Sequence, residues 1–172
     1  WATALNYLAN ANREFSYWTS DPQLLALSVT QYNQSLEVRT RENYPLQWAQ
    51  TQLDLGNALT RNNDPNLLPG SADLAVQAYQ HSLEIRTESN TPLEWGMAQN
   101  NLAASLSANL EQKETLTADD YAPVLAAYQN AIKVTTRERS PLDWALMQTN
   151  LASELVDKWN AKQRTLPDDF QR

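Results

Sequence analysis

Apolar side chains recur along this chain at helical spacing, in segments that each contain a tryptophan. In the clearest segment, Trp95 is followed seven and eleven residues later by Leu102 and Leu106. This spacing places the three side chains on one stripe of an α-helix. The same stripe begins again at Trp48 and at Trp144. We name these segments Trp-type helices, and each is predicted to bury its stripe of Trp and Leu.

A second kind of helical segment is marked by a tyrosine that stands 16 residues before each of these tryptophans, at Tyr32, Tyr79 and Tyr128. Val76 and Leu83 lie three residues before and four residues after Tyr79, again on one helical stripe. We name these segments Tyr-type helices. The pattern therefore predicts an all-α protein in which two kinds of helix alternate.

Prolines predict where the Trp-type helices begin. Pro45, Pro92 and Pro141 each stand three residues before a tryptophan. Proline is favoured at the first position of a helix, because its φ angle suits the helix and its missing N–H is not needed there.

The pair of segments repeats with a period of 47 and then 49 residues, measured between Trp48, Trp95 and Trp144. Self-similarity at a period of 20 to 50 residues is typical of stacked repeat arrays. Trp1 lies 47 residues before Trp48 and extends the phase. We therefore expect about seven helices in a single array that is a fragment of a longer one. Its predicted repeats are residues 1–44, 45–91 and 92–140, with 141–172 as the start of a fourth.

Composition and charge exclude several classes of function. The formal net charge is −7 and the sequence pI is about 4.6, which makes a nucleic-acid backbone a poor partner. The chain has no Cys, so disulfides and thiolate chemistry are absent. No apolar stretch has the 18 or so residues of a membrane span. We expect no membrane partner.

The sequence also offers no catalytic chemistry. It has no glycine-rich phosphate loop, no metal-ligand cluster and no nucleophile elbow, and His81 is the one histidine. We therefore expect no enzyme activity, no catalytic residue, no metal and no cofactor. The sequence does not establish the compartment, although the cytoplasm is slightly favoured.

Two short runs resemble the tetratricopeptide repeat. The run Leu55–Leu59, Leu-Gly-Asn-Ala-Leu, looks like the core of that family's first helix, and Ala75–Ile85 looks like its second helix. The resemblance implies a right-handed α-solenoid of stacked antiparallel helix pairs. The usual family period is 34 residues, so this chain is similar to a long-period variant of the kind found in bacterial multidomain proteins.

The resemblance also implies a binding face, because the family's first helix lines the concave side of the solenoid. The Trp-type helices would then present Asn6, Asn10, Arg13, Gln50, Leu53, Asn57, Arg61, Met97, Asn100, Leu146 and Thr149. Asparagine side chains both donate and accept hydrogen bonds, so they suit an extended peptide backbone. The alternative is a polar face that is only solvated. With Arg13 and Arg61 as the cations nearby, a ligand rich in Asp and Glu is disfavoured.

The expected function is a protein- or peptide-binding scaffold that uses this concave face. The alternative is a rigid spacer or self-assembly segment of a larger multidomain effector, whose catalytic domain lies outside this chain. In that case copies would associate through exposed ends of the solenoid.

Two further residue sets recur with the repeat. Gln52, Gln99 and Gln148 interrupt the apolar stripe at one position, and we expect them to hydrogen-bond between adjacent repeats and to fix their register. Arg39 and Arg86 stand at the ends of Tyr-type helices, where a cation interacts favourably with the helix dipole.

Overall fold

The computed structural model describes residues 1–62, 64 and 66–164. These residues form seven α-helices and one short 3-10 helix, with no strand among them. The helices are α1 (Ala2–Thr19), α2 (Pro22–Leu36), α3 (Pro45–Leu59), α4 (Ser71–Ile85), α5 (Pro92–Leu110), α6 (Ala122–Val134) and α7 (Pro141–Arg164), and the 3-10 helix is Ala118–Tyr121. The prediction of an all-α fold with seven helices is confirmed. None of the helices in the described part combines the length and hydropathy needed to cross a membrane.

The helix starts agree with the proline pattern. Pro45, Pro92 and Pro141 are the first residues of the three later Trp-type helices α3, α5 and α7. Asp21 precedes α2 and its carboxylate accepts a hydrogen bond of 2.9 Å from the backbone N–H of Gln23. This bond satisfies one of the donors that a helix leaves unpaired at its start.

The chain divides into two compact units, Trp1–Thr87 and Glu88–Arg172. In the first unit α1 packs along α2 and α3 along α4, and α2 also packs on α3. In the second unit α5 packs along α6, and α6 packs on α7. Within each unit, successive helix pairs therefore pack in the manner of an α-solenoid, as predicted. The right-handed sense of the array stays a prediction.

The repeated tyrosines form the centre of the core. Tyr32 and Tyr79 are almost fully buried, and each hydroxyl donates to an asparagine of the preceding Trp-type helix. The Tyr32 hydroxyl lies 2.6 Å from Asn10 Oδ1, and the Tyr79 hydroxyl lies 2.9 Å from Asn57 Oδ1. Burial raises the pKa of Tyr79 to about 12 and also raises that of Tyr32. Both hydroxyls therefore remain protonated donors at neutral pH.

The tryptophans differ in burial along the array. Trp95 is buried, as predicted, whereas Trp48 and Trp144 are only half-buried. Trp1, the equivalent residue in the first repeat, directly precedes α1 and is exposed. Burial of this position therefore varies from one Trp-type helix to the next.

A buried carboxyl group interrupts the core of the second unit. Glu154 on α7 is 7% exposed, at a position where the second repeat has the small buried Ala58. Burial raises the pKa of Glu154, and the nearby carboxylates Asp157 and Glu111 raise it further, while a hydrogen bond with Ser107 lowers it. The pKa of Glu154 is higher in the folded chain than in the unfolded chain. The folded state therefore loses stability as the pH rises from the unfolded pKa through the folded pKa.

We expect Glu154→Gln to raise the melting temperature at pH 7 by about 2 to 4 °C, the shift that about 1 kcal/mol produces in a chain of this size. Below pH 4 both forms carry a neutral side chain, so the difference should disappear. Thermal unfolding at several pH values measures it. Glu88→Gln, at an exposed position, is the matched control. A stabilisation that persists unchanged at low pH would contradict the burial argument.

Candidate functional site

A pocket of about 670 Å³ opens on the Trp-type helices of the first unit. It brings together four of the predicted concave-face residues. The lining consists of Asn6, Tyr7, Asn10 and Arg13 from α1, Leu46, Gln47, Gln50 and Asp54 from α3, and Arg39 and Arg86 from the segments that follow α2 and α4. We name it the Trp-helix pocket.

Asp54 is a buried acceptor in the pocket lining. Asn6 Nδ2 donates to Asp54 Oδ2 over 3.1 Å, and Gln50 Nε2 donates to Asp54 Oδ1 over 3.0 Å. Arg13 Nη1 lies 3.9 Å from the same Oδ1. The carboxylate therefore joins α1 to α3 and fixes the positions of three predicted site residues.

Asn6 also participates in a second chain of hydrogen bonds. Thr51 Oγ1 lies 2.7 Å from Asn6 Oδ1, and Arg39 Nη1 donates to Thr51 Oγ1 over 2.9 Å. Arg39 Nη2 donates to Thr3 Oγ1 over 3.2 Å. Asn6 thus connects α1 to α3 through Asp54 and Thr51. These bonds hold the residues of the pocket lining in place.

Arg39 and Arg86 line the Trp-helix pocket, although their sequence positions predicted only the ends of Tyr-type helices. The structure shows their guanidinium groups extending to the Trp-type helices, with Arg86 Nη2 donating to Gln50 Oε1 over 2.6 Å. Arg39 and Arg86 lie 47 residues apart, and so do their partners Thr3 and Gln50. This shared period was the available signal that each arginine reaches the Trp-type helix of its own repeat, and Arg39 also donates to Thr51 of the next repeat.

The two additional arginines change the charge of the pocket. Its lining contains three guanidinium groups and one carboxylate, in a chain whose net charge is −7. The expectation that acidic ligands are disfavoured counted Arg13 and Arg61 as the nearby cations, together with the acidity of the whole chain, and the pocket adds Arg39 and Arg86 to these cations. Guanidinium groups form their strongest hydrogen bonds with carboxylate oxygens. The pocket suits a ligand that presents carbonyl or carboxylate oxygens.

Three other predicted residues of the first unit lie outside the Trp-helix pocket. Leu53 is buried in the core, and Asn57 accepts the hydrogen bond from Tyr79. Arg61 lies 3.3 Å from a Glu14 carboxylate oxygen and stacks 5.5 Å from the centre of the Tyr17 ring. It lines a separate pocket of about 590 Å³ near the end of α1.

The four predicted residues of the second unit show mixed exposure. Met97 and Leu146 present exposed apolar side chains. Thr149 is exposed, and its hydroxyl donates to the backbone oxygen of its own helix at Ala145. Asn100 is half-buried and donates to the neighbouring Asn101 over 3.3 Å. The apolar side chains of Met97 and Leu146 are therefore exposed to solvent, where a ligand could contact them.

The described ranges contain no group of three or more His, Cys, Asp or Glu residues arranged to hold a metal ion. No protein-family model matches the chain, and no curated protein matches it either. The tetratricopeptide resemblance therefore rests on the repeated residues alone.

Proposed function

We propose that this chain is a scaffold that binds an extended peptide or protein segment on the Trp-type helices of its first unit. The observation that supports this function most strongly is the convergence of Asn6, Asn10, Arg13 and Gln50 on one pocket of about 670 Å³. The tetratricopeptide resemblance implied these four residues as part of a peptide-binding face. No catalytic step belongs to the proposal.

The side chains around the pocket suit different parts of a peptide. Asn10 Oδ1 accepts from Tyr32, while no described residue accepts a hydrogen bond from Asn10 Nδ2. That amide nitrogen is free to donate to a peptide carbonyl. Tyr7 and Leu46 are exposed at the pocket and offer apolar contact. The arginines favour a segment with an acidic side chain or a terminal carboxylate at this point.

A charge introduced at the pocket tests the proposal. Gln47 is exposed on α3 and lines the pocket, so Gln47→Glu should repel an anionic ligand without disturbing the core. We expect a peptide selected from a display library on the wild-type chain to bind the variant about tenfold more weakly, the effect of about 1.4 kcal/mol. Isothermal titration calorimetry measures the change.

The matched control is Gln34→Glu, which adds the same charge at an exposed position of α2. It should change the affinity by less than about twofold. Equal losses in both variants would show that net charge alone governs binding. Unchanged affinity in Gln47→Glu would place the peptide elsewhere on the chain.

We further propose that the array is a long-period relative of the tetratricopeptide repeat. Its support is the alternation of Trp-type and Tyr-type helices and the contact between Gly56 and Tyr79. A Cβ atom at Gly56 would lie 2.6 Å from Tyr79 Cε1. A small residue of one helix therefore receives the large residue of its partner. A designed chain of three identical repeats with this period tests the repeat assignment. If the assignment is correct, the designed chain should fold and unfold cooperatively.

The alternative function, a spacer or self-assembly segment, is favoured by one feature of α1. Leu8 is 50% exposed, whereas its equivalent Leu55 on α3 is 7% exposed. Trp1, which directly precedes α1, and Phe15 on α1 lie seven residues to either side of Leu8 and are also exposed. An apolar stripe of this length is typical of an interaction surface. A mass that grows with concentration in light scattering would support assembly, and a constant monomer mass would oppose it.

A further inference from the structure

A third, smaller pocket lies among α2, α3 and α4 of the first unit, and the proposed function does not use it. Its volume is about 220 Å³. Leu36 of α2, Leu55 and Leu59 of α3, and Leu74 of α4 contribute apolar surface. We name it the Gln52 pocket, after the polar residue that α3 contributes to its lining.

Gln52 is the unusual feature of this pocket. The side chain is 8% exposed, and no described residue hydrogen-bonds with it. The prediction that Gln52 bonds between adjacent repeats is therefore wrong for the residues that the structure describes. The Gln52 amide is available at the pocket, where a ligand that supplies both a donor and an acceptor would bond with it.

The rest of the lining restricts the chemistry of such a ligand. No Asp, Glu, Lys or Arg lines the Gln52 pocket, and His81 is its one imidazole. A charged group would lose its hydration there without gaining a counter-ion. The pocket therefore favours a neutral ligand with an apolar body.

The volume restricts its size. Pockets for drug-sized molecules begin at roughly 300 Å³, whereas this pocket measures about 220 Å³. One aliphatic side chain and the amide next to it match both the volume and the polar group. Peptides supply this pair of groups at every leucine-like residue.

We propose that the Gln52 pocket binds one leucine-like residue of a peptide. The aliphatic side chain lies among Leu55, Leu59 and Leu74, and the adjoining amide exchanges two hydrogen bonds with the side-chain amide of Gln52. This site is separate from the Trp-helix pocket and does not depend on the function proposed for it. It gives the chain a second place to bind a peptide, and this place favours an uncharged residue whose side chain fits the pocket.

The test uses N-acetyl-leucinamide as a probe and the complete 172-residue chain, observed by two-dimensional NMR. We expect saturable shifts of the Gln52 side-chain amide and of the Leu55 and Leu59 methyl groups. For a probe of this size the dissociation constant should be on the order of a millimolar. N-acetyl-aspartamide, which has a similar shape and a charge, should produce no saturable shift at these groups.

Substitution of the amide separates this site from nonspecific contact. Gln52→Leu should weaken the probe about five- to tenfold, because the hydrogen bonds are lost while the apolar walls remain. Gln148→Leu, the same change at the equivalent position of the second unit, should leave the affinity within about twofold. Circular dichroism verifies that both variants fold.

Three results would overturn the proposal. These are the absence of saturable shifts at Gln52 in the wild-type chain, equal affinity in Gln52→Leu, or equal binding of the aspartamide probe. The first of these needs no variant, so the proposal can fail even if Gln52→Leu does not fold. Gln47→Glu should leave the leucinamide affinity unchanged, which distinguishes this site from the Trp-helix pocket.

Discussion

Asp54→Ala is expected to lower the melting temperature by about 6 to 12 °C, which corresponds to a loss of about 3 kcal/mol in a chain of this size. Asp54 is buried and accepts hydrogen bonds from Asn6 and Gln50, with Arg13 3.9 Å away. Removal of the carboxylate leaves these donors in a poorly hydrated place without their acceptor. Thermal unfolding followed by circular dichroism measures the loss.

Two further variants separate the carboxylate's own contribution from general effects of substitution. Asp54→Asn keeps an acceptor oxygen but removes the charge, so we expect about half of the loss. Glu42→Ala removes an exposed carboxylate and should change stability by less than about 0.5 kcal/mol. If Asp54→Ala is no more destabilising than Glu42→Ala, the hydrogen bonds between α1 and α3 do not stabilise the first unit.

Gly56→Ala is expected to destabilise the chain by about 2 kcal/mol, although alanine is normally the better helix former. The added Cβ would lie between 2.6 and 2.9 Å from three ring atoms of Tyr79. Tyr79 is almost fully buried and its hydroxyl is bonded to Asn57, so the ring has little freedom to withdraw. Chemical denaturation gives the free energy of unfolding for both forms.

The sign of this effect should reverse when the ring is removed. In a Tyr79→Leu background the collision disappears, and Gly56→Ala should then stabilise the chain by up to about 1 kcal/mol through helix propensity. The four variants form a double-mutant cycle that isolates the contact. A stabilising Gly56→Ala in the wild-type background would show that Tyr79 does not need the glycine.

The fold was predictable because its signals are local and repeated. The spacing of Trp48, Trp95 and Trp144 defined the Trp-type helices, and proline marked their first residues. Such periodicity indicates which side of a helix faces the core. It does not indicate how far a neighbouring helix covers that side. Burial of the predicted contact residue Leu53 follows from such coverage.

The candidate site was predictable only in part. Asn6 and Gln50 lie on the face of the Trp-type helices that the tetratricopeptide resemblance implied as the binding face, and both line the pocket. Arg39 and Arg86 reach the pocket through long side chains from other helices, and periodicity within one helix does not contain that information. Gln52 shows the same limit. Its position in the apolar stripe predicted correctly that it is buried, but the predicted hydrogen bond between repeats is absent from the described residues.

Nitrogen-edited NMR of the side chains, recorded with a peptide selected on the wild-type chain, tests the central claim most directly. If the peptide occupies the Trp-helix pocket, the Nε–H signals of Arg13, Arg39 and Arg86 and the amide signal of Asn10 should shift together and saturate at one affinity. These four groups line a single pocket. Saturable shifts confined to residues of the Tyr-type helices, with the arginine signals unchanged, would contradict the account.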